Sequence, residues 1–285
     1  MFDLHVHSDV SDGRLAPTEV IDLAQRTGLT GLVITDHSIA TWTPELSTYA
    51  SRAGVDLPVP GMEVSAVHRG RRVHILLYGK ELVELEVSAR LLAPLSAKNR
   101  RLETLCERLR NKGYSVPSNT QLLNRSDSGD ANPARRMLGR TVIARALERT
   151  AQLSFEDAYR AVLEADEYIP RLKSAEAYLP VVQVLQIADE ANLVAAVAHP
   201  LWFCESDDQV QAALDVFRDE ALSSIRAIEV SSYHHRRFDH HQALLTLVKD
   251  RGWVVLGGSD FHGNGKVGLG DEVTDAESLR QLGIL

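Results

Sequence analysis

The stretch DLHVHSDVSDG, residues 3–13, decides the fold class of this chain of 285 residues. His5 and His7 are two positions apart in a short apolar run. In a β-strand both imidazoles therefore lie on one face, and the apolar side chains between them take the other. Asp12 follows in the loop after that strand. A buried strand with two imidazoles on one face, followed at once by a carboxylate, predicts a site built at the end of a strand.

Working outward from this strand, short β runs alternate with helical patterns, which predicts an α/β fold. A helix over 17–27 begins with Pro17 at its first position and ends before Gly28. Helices over 180–191 and 240–251 have similar patterns. Seven strand-helix units favour a closed or nearly closed barrel over an open sheet. The predicted strands cover 3–8, 31–37, 59–67, 73–79, 193–199, 226–231 and 253–259.

Between these strands, residues 81–169 lose the strand signal and become helical. We therefore predict a barrel domain formed by 1–80 and 170–285, with 81–169 as an inserted helical domain. Residues 90–149 contain 13 Lys and Arg against 5 Asp and Glu, whereas the whole chain has a net charge of −8. Such asymmetry indicates anionic partners. A solvated helical surface with scattered arginines would explain the same charge pattern.

Composition excludes disordered, collagen-like and membrane-spanning classes. The chain is 44% hydrophobic and 25% charged, and it has no apolar run long enough to cross a bilayer. Residues 1–11 contain two His and two Asp where a secretory signal needs an apolar stretch. Only two cysteines occur, Cys106 and Cys204, too few for a disulfide framework. A cytoplasmic location, with no membrane and no obligate protein partner, is expected.

The ionisable residues concentrate at predicted strand ends, which converge at one mouth in a βα barrel. A single His at such a position is more often a satisfied polar residue than a ligand. Many together, without cations, would leave like charges and desolvated imidazoles uncompensated. Mixed imidazole and carboxylate ligation suits Zn²⁺, Mn²⁺ or Fe. The candidate ligands are His5, His7, Asp12, His37, Glu63, His74, His199, Asp260 and His262.

The order and spacing of six segments resemble the PHP (polymerase and histidinol phosphatase) family. They are DLHVHS with SDG, VITDHS, GMEVS, VHILLYG, AVAHP and GGSDFHG, which together span nearly the whole chain. The resemblance implies a distorted seven-stranded (β/α) barrel with a trinuclear metal centre, and we expect two or three divalent cations, Mn, Fe or Zn, in this chain.

Carried over by position, the resemblance implies three metal sites. One is held by His5, His7, Glu63 and Asp260, the second by Glu63, His74 and His199 with Glu63 bridging, and the third by Asp12, His37 and His262. Asp36 is then expected to orient one of the imidazoles.

Within this family, the chain most resembles the branch with a helical insertion after the fourth strand, which includes phosphatases acting on nucleotide 3′,5′-bisphosphates and related exonucleases on RNA 5′ ends. In that branch a GRxH segment of the insertion and a later Lys bind phosphate. Arg140 is retained here, Val142 replaces the His of that segment, and Lys173 stands where the later Lys is expected. After AVAHP, relatives often have an Arg where this chain has Leu201 and Trp202. The resemblance thus implies Arg140 and Lys173 as catalytic, phosphate-binding residues.

Two further residues are substrate-contact candidates. Trp202 would stack on a base or sugar, although it could equally be a core or lid-packing residue. The family often has a His near the substrate in the loop that follows residues 228–230, so the resemblance implies His235, in preference to His234, as a catalytic and substrate-contacting residue. His240 and His241 are expected to be exposed.

A metal-dependent phosphoesterase follows from this resemblance. Clustered cations make a bridging hydroxide available near neutral pH and neutralise phosphate oxygens. The expected substrate is a phosphomonoester of a small metabolite, with a nucleotide or a nucleotide 3′,5′-bisphosphate leading. Two alternatives stay open: a 5′-3′ exonuclease on short RNA, and a non-catalytic scaffold stapled by metals.

Overall fold

The computed structural model describes residues 1–118, 121–122, 139–202, 204, 206–231 and 241–285. All seven predicted strands are present, with ends within three residues of the predicted ones, and one two-residue strand is added. The strands are β1 (Phe2–Val6), β2 (Gly31–Ile34), β3 (Gly61–His68), β4 (Arg71–Tyr78), β5 (Leu179–Pro180), β6 (Val194–Ala198), β7 (Ala227–Ser231) and β8 (Val254–Gly257).

These strands form two sheets, one of two parallel strands and one of six strands of mixed direction. Strand β1 pairs in parallel with β2, and the other six follow the order β5-β3-β4-β6-β7-β8. Within the larger sheet, β4 runs antiparallel to β3 and to β6, whereas the remaining pairs are parallel. The α/β class predicted from the sequence is confirmed.

Strands β3 and β4 form a hairpin, so the predicted strand-helix alternation is wrong there. The two residues between them, Arg69 and Gly70, have φ of 46° and 77°, as expected for a two-residue hairpin turn of positive φ. His68 pairs with Arg71 across this turn. The hairpin brings Glu63 and His74, which lie on neighbouring strands, to the same side of the sheet.

Isolated bridges connect the two sheets. Val6 at the end of β1 pairs in parallel with Phe261, and His37, shortly after β2, pairs with Glu63 of β3. In the described part of the chain these contacts are single bridges and do not extend into ladders. A closed seven-stranded barrel is therefore not confirmed, although the bridges bring the ends of β1, β2 and β3 together.

The helices match the predicted ones closely. The helix predicted over 17–27 has the same bounds in the structure, where the N–H of Ala16 donates to Glu19 at 2.8 Å and Gly28 ends the helix at φ 75°. The helices are α1 (Pro17–Thr27), α2 (Pro44–Ala53), α3 (Leu85–Leu91), α4 (Leu95–Asn111), α5 (Arg140–Ala151), α6 (Phe155–Asp166), α7 (Ser174–Ala177), α8 (Val181–Glu190), α9 (Asp207–Phe217), α10 (His241–Arg251) and α11 (Ala276–Leu282), with short 3₁₀ turns at Lys80–Val83 and Glu220–Leu222.

Helices α4, α5 and α6 share an apolar cluster that includes Leu105, Leu109, Ile143 and Val162, each fully buried. The largest apolar cluster lies between the six-stranded sheet and its helices, and α3 joins it through Val87 and Leu91. The division of the chain at residues 81 and 169 into a barrel and an insertion stays a prediction.

Among the described residues, none of the helices combines the length and the apolar character needed to cross a bilayer.

Candidate metal centre

The two imidazoles of β1 lie side by side, as the strand periodicity predicts. His5 and His7 are fully buried, and their Nε2 atoms are 3.1 Å apart. Oδ1 of Asp260 lies 3.3 Å from Nε2 of His5 and 3.2 Å from Nε2 of His7. These three side chains therefore converge on one small volume.

Glu63 lies at the centre of the cluster, and each of its carboxylate oxygens faces imidazoles. Oε1 is 2.5 Å from Nδ1 of His74 and 3.0 Å from Nε2 of His199. Oε2 is 2.9 Å from Nδ1 of His37 and 3.2 Å from Nε2 of His7. A carboxylate with ligand groups on both oxygens has the arrangement of a bridging ligand.

All nine predicted ligands lie in this one cluster. Asp12 and His262 complete it, with Oδ1 of Asp12 lying 3.3 Å from Nε2 of His262. Ligand atoms lie within 4.8 Å of one another in three overlapping groups: His7, Asp12, His37 and His262; His5, His7 and Asp260; and His5, Glu63 and His199. His7 thus belongs to two groups, whereas the resemblance places it in one.

The donor set fits divalent cations. Oε2 of Glu63 is buried, and within the described residues no donor meets it in good hydrogen-bond geometry, although two imidazole nitrogens lie close to it; a cation would compensate this oxygen. The donors are imidazole nitrogens and carboxylate oxygens, a set that suits Zn²⁺, Mn²⁺ or Fe. No thiolate, the ligand that softer metal ions prefer, is among them. The cluster therefore fits a divalent-metal site.

Ionisation of the carboxylates is strongly favoured in this cluster. Burial opposes ionisation of Asp12 and of Glu63, but nearby histidines outweigh it and lower the pKa of both carboxyls. The positive charges of His262 and His37 lower the pKa of Asp12, and those of His37 and His5 lower the pKa of Glu63. Both groups are therefore anionic, as ligands must be.

The pKa values of two imidazoles in the cluster shift in opposite directions. Burial and the charge of His262 oppose protonation of His7, yet the neighbouring carboxylates of Asp260 and Glu63 raise its pKa to about 9. Burial lowers the pKa of His74 to about 3. Because a metal binds neutral imidazole, a cation would displace the proton held on His7.

Two of the candidate ligands have left-handed backbones. His199, directly after β6, has φ of 23°, and Asp260 has φ of 54°. Such values are uncommon for residues other than glycine and cluster at functional sites. The N–H of His199 donates to Oε2 of Glu229 at 2.6 Å, which holds that strained backbone in place.

Glu229 is a functional candidate that the sequence reasoning missed. It is fully buried in β7, and its Oε1 accepts from Nδ1 of His5 at 2.8 Å. With Nδ1 bonded in this way, Nε2 of His5 faces the cluster as a ligand atom. The signal in the sequence was a lone carboxylate inside the apolar run 227–230.

Asp36 does not have the role expected of it. Its carboxylate accepts hydrogen bonds from the hydroxyls of Ser8, Ser11 and Thr41 at 2.5–2.6 Å and from the N–H of Ser8 at 2.8 Å. Its described hydrogen bonds thus go to hydroxyls and a backbone N–H. Asp36 orders the loop that carries Asp12 and does not orient an imidazole.

Gly258 leaves no space for a side chain beside this network. A Cβ added there would clash with Oε1 of Glu229 and lie 2.5 Å from Cβ of His5. We expect Gly258→Ala to destabilise the fold by about 1–3 kcal/mol, the usual cost of overpacking, and to reduce metal content. Thermal unfolding and elemental analysis measure both effects. Gly139→Ala, whose Cβ would meet only Val142 at 3.7 Å, is the matched control. Equal stability of the two variants would contradict this account.

The predicted substrate contacts fall in different places. Trp202 lies against the cluster, its ring centroid 5.0 Å from those of His74 and His199. Arg140 starts α5, and both its Nε and Nη2 contact Oδ2 of Asp166, at 2.8 and 2.6 Å. Lys173 has an exposed side chain. His235 lies outside the described residues.

Arg145, which the sequence reasoning did not single out, connects α5 to the metal-binding loop. Its guanidinium donates to the carbonyl of Asp12 at 3.2 Å and to the carbonyl of Gly13. Arg14 of the same loop lies over the ring of Phe155 in α6, 4.8 Å from its centroid. The predicted insertion therefore contacts the loop that supplies one of the candidate ligands.

The chain is similar to several enzymes of phosphate-ester chemistry. Residues 3–93 match the model of the PHP domain. A 3′,5′-nucleoside bisphosphate phosphatase from Chromobacterium violaceum is 30% identical over 93% of this chain and 88% of its own length. A phosphoribosyl 1,2-cyclic phosphate 1,2-diphosphodiesterase from Eggerthella lenta is 27% identical over 92% and 94% of the two chains. A 5′-3′ exoribonuclease from Haemophilus influenzae is 23% identical over 92% and 89%.

A solved structure extends the similarity to the fold. The structure of a predicted metal-dependent phosphoesterase from Bifidobacterium adolescentis superposes with a TM-score of 0.77 at 26% identity, covering 99% of this chain and 94% of the other. The relatives share the chemistry of phosphate esters and differ in their substrates.

Proposed function

This chain belongs to the PHP family and is a phosphoesterase, and from that premise we propose that it hydrolyses a phosphomonoester of a small metabolite. A nucleotide or a nucleotide 3′,5′-bisphosphate is the leading candidate. The observation that carries the proposal is the convergence of eight His and Asp side chains around the buried carboxylate of Glu63.

We propose two or three cations, Mn, Fe or Zn, at the ligand sets that the family resemblance implies. Glu63 would hold two of them, since imidazoles face both of its oxygens. Bound cations would lower the pKa of water to give a nucleophile at neutral pH and would neutralise the phosphate oxygens. The chain's own part is to hold its ligands rigidly, through Glu229 behind His5 and Asp36 behind the loop of Asp12.

The substrate would lie against the exposed edge of this centre. Trp202 is 37% exposed and packs on His74 and His199, so the solvent-facing part of its ring would stack on a base or sugar. We propose Arg140 and Lys173 as phosphate contacts and His235 as a catalytic residue that contacts the substrate. Arg140 is in the first turn of α5, about 8 Å along the helix axis from Arg145, which touches the loop of Asp12.

A substrate screen tests the proposal. Metal-loaded protein would be incubated with nucleoside monophosphates, nucleoside 3′,5′-bisphosphates, cyclic phosphates and short 5′-phosphorylated RNA, and free phosphate and nucleotide products would be measured. We expect phosphate release from a nucleotide or a nucleoside bisphosphate. A preparation that hydrolyses carboxylic esters or amides but no phosphate ester would overturn the proposal.

A second candidate, a 5′-3′ exonuclease on short RNA, is favoured by the basic charge of 90–149. Against it, Tyr114, the one aromatic residue of that stretch, packs on the apolar cluster of α4, α5 and α6 and offers no stacking platform. Release of mononucleotides from RNA in the screen would select this candidate. The scaffold alternative is set aside, because the chain is a hydrolase.

Arg140 supplies a prediction specific to the proposed phosphate contacts. We expect Arg140→Ala to lower kcat/KM by roughly tenfold to a thousandfold, through loss of a charge-assisted contact, with metal content unchanged. Arg101→Ala is the matched control, since Arg101 binds the other oxygen of Asp166 at 2.6 Å. Equal losses in both variants would mean that Arg140 acts only through Asp166, and no loss would remove it from the active site.

A further inference from the structure

A cationic and aromatic cleft borders the metal centre on the side of β4. We define it by Arg72, Lys98, Tyr178 and Trp202. The guanidinium of Arg72 lies 5.3 Å from the ring centroid of Trp202 and 6.0 Å from that of Tyr178, and it donates to the Tyr178 hydroxyl at 3.4 Å. The ammonium of Lys98 lies 4.6 Å from the Tyr178 ring. Strand β4, helix α4 and the segment before β5 thus contribute to one surface.

The cleft is continuous with the centre. Arg72 and His74 are two residues apart in β4, so their side chains share a face, separated by about 7 Å along the strand. Arg72, His74, His199 and Trp202 line one pocket. A phosphate held at the metals and a second group held at Arg72 would therefore be separated by a sugar-sized span, with Trp202 beside it.

The charge of the cleft favours an anion. Burial and the neighbouring charge of Arg72 lower the pKa of Lys98 to about 8, so the two cations repel one another. An anion bound between them would relieve this repulsion and accept charge-assisted hydrogen bonds. The guanidinium, with its planar fork of donors, suits a phosphate oxygen pair.

We propose that Arg72 and Lys98 bind a second phosphate of the substrate, one that is not hydrolysed, while Trp202 packs against the sugar or base between the two phosphates. This inference rests on the proposed function and makes it more specific, because it selects substrates with two phosphates over those with one. The second phosphate can belong to a nucleoside bisphosphate or to the next nucleotide of a short RNA.

Kinetics on matched substrates tests the inference. The substrates are adenosine 3′,5′-bisphosphate, 3′-AMP, 5′-AMP and a 5′-phosphorylated diadenylate. We expect Arg72→Ala to lower kcat/KM for the bisphosphate by roughly 10- to 100-fold and to change that for the hydrolysed monophosphate by less than about threefold. Lys98→Met should act in the same direction. A loss confined to the diadenylate would assign the second phosphate to RNA. Equal losses on mono- and bisphosphates would overturn the inference.

Arg69→Ala is the control for loss of a nearby positive charge. Arg69 lies in the turn before β4 and binds Asp219 at 2.8 Å, so this variant should leave both kcat/KM values unchanged. Arg72→Lys keeps the positive charge and loses the planar guanidinium with its two parallel donors. This variant should retain part of the preference for the bisphosphate, which would separate an effect on binding from a folding defect.

Failure of the proposed function would be visible separately, as a wild-type protein that hydrolyses none of these substrates. Binding of adenosine 3′,5′-bisphosphate would then be measured by the quenching of tryptophan fluorescence, with Trp202→Phe as the optical control. Binding weakened at least about tenfold by Arg72→Ala would support the cleft as an anion site. Unchanged binding would overturn it.

Discussion

Replacement of His7 with Ala is expected to remove metal and abolish most of the activity. His7 belongs to two of the three groups of candidate ligands, so its loss weakens more than one metal site. It also removes the imidazole whose Nε2 lies 3.2 Å from both Oε2 of Glu63 and Oδ1 of Asp260. We expect the loss of at least one metal per chain and a fall in kcat/KM of roughly 1,000-fold or more, which is about 4 kcal/mol.

Elemental analysis and phosphate release on the same preparation measure both effects of His7→Ala. His68→Ala is the matched control, because His68 is also at the end of a strand but pairs with Asp219 at 2.8 Å, outside the cluster. His68→Ala should retain full metal content. If His7→Ala keeps its metals and its turnover, the cluster is not the active site.

Replacement of Glu229 with Ala is the second large expected effect. Two buried donors, Nδ1 of His5 and the N–H of His199, would lose their acceptor. Each unsatisfied buried donor costs about 1–3 kcal/mol, and loss of a carboxylate behind a metal-binding His typically lowers metal affinity about 10- to 100-fold. We expect the metal concentration needed for half-maximal activity to rise by this factor.

A metal titration of activity distinguishes this positioning role from general destabilisation. Near-normal kcat at saturating metal is expected for Glu229→Ala, together with a lower unfolding temperature. Glu229→Gln keeps one carbonyl oxygen as an acceptor and should recover part of the metal affinity. An unchanged metal requirement with a low kcat would show that Glu229 acts on the reaction itself and not through His5.

The different expected sizes of these effects follow from distance to the proposed metals. His7 offers its own nitrogen to the cations, whereas Glu229 acts through the imidazole of His5, and Arg72 and Arg140 act on the substrate. Metal content therefore tests the role of His7, metal affinity tests that of Glu229, and activity on different substrates tests those of Arg72 and Arg140. A set of variants that changed all three together would argue against separate roles.

The sequence alone determined the strand positions, the bounds of α1 and the set of candidate ligands. These features depend on residues that are close in the sequence. Successive side chains of a strand point to opposite faces, so His5 and His7 lie on the same face. Pro17 and Gly28 mark the two ends of a helix because of their own backbone preferences. Six motifs in a fixed order then supplied the family resemblance.

Only the tertiary structure decided how β3 and β4 pair and which carboxylate supports which imidazole. The chain reverses direction within two residues, Arg69 and Gly70. A strand-helix pattern does not predict this turn, because it places a helix after each strand. Asp36 is adjacent to His37 in sequence, yet its bonds go to Ser8, Ser11 and Thr41, whereas His5 is oriented by Glu229, 224 residues away. Hydrogen bonds form between groups that folding brings within about 3 Å, and neighbourhood along a chain does not determine that distance.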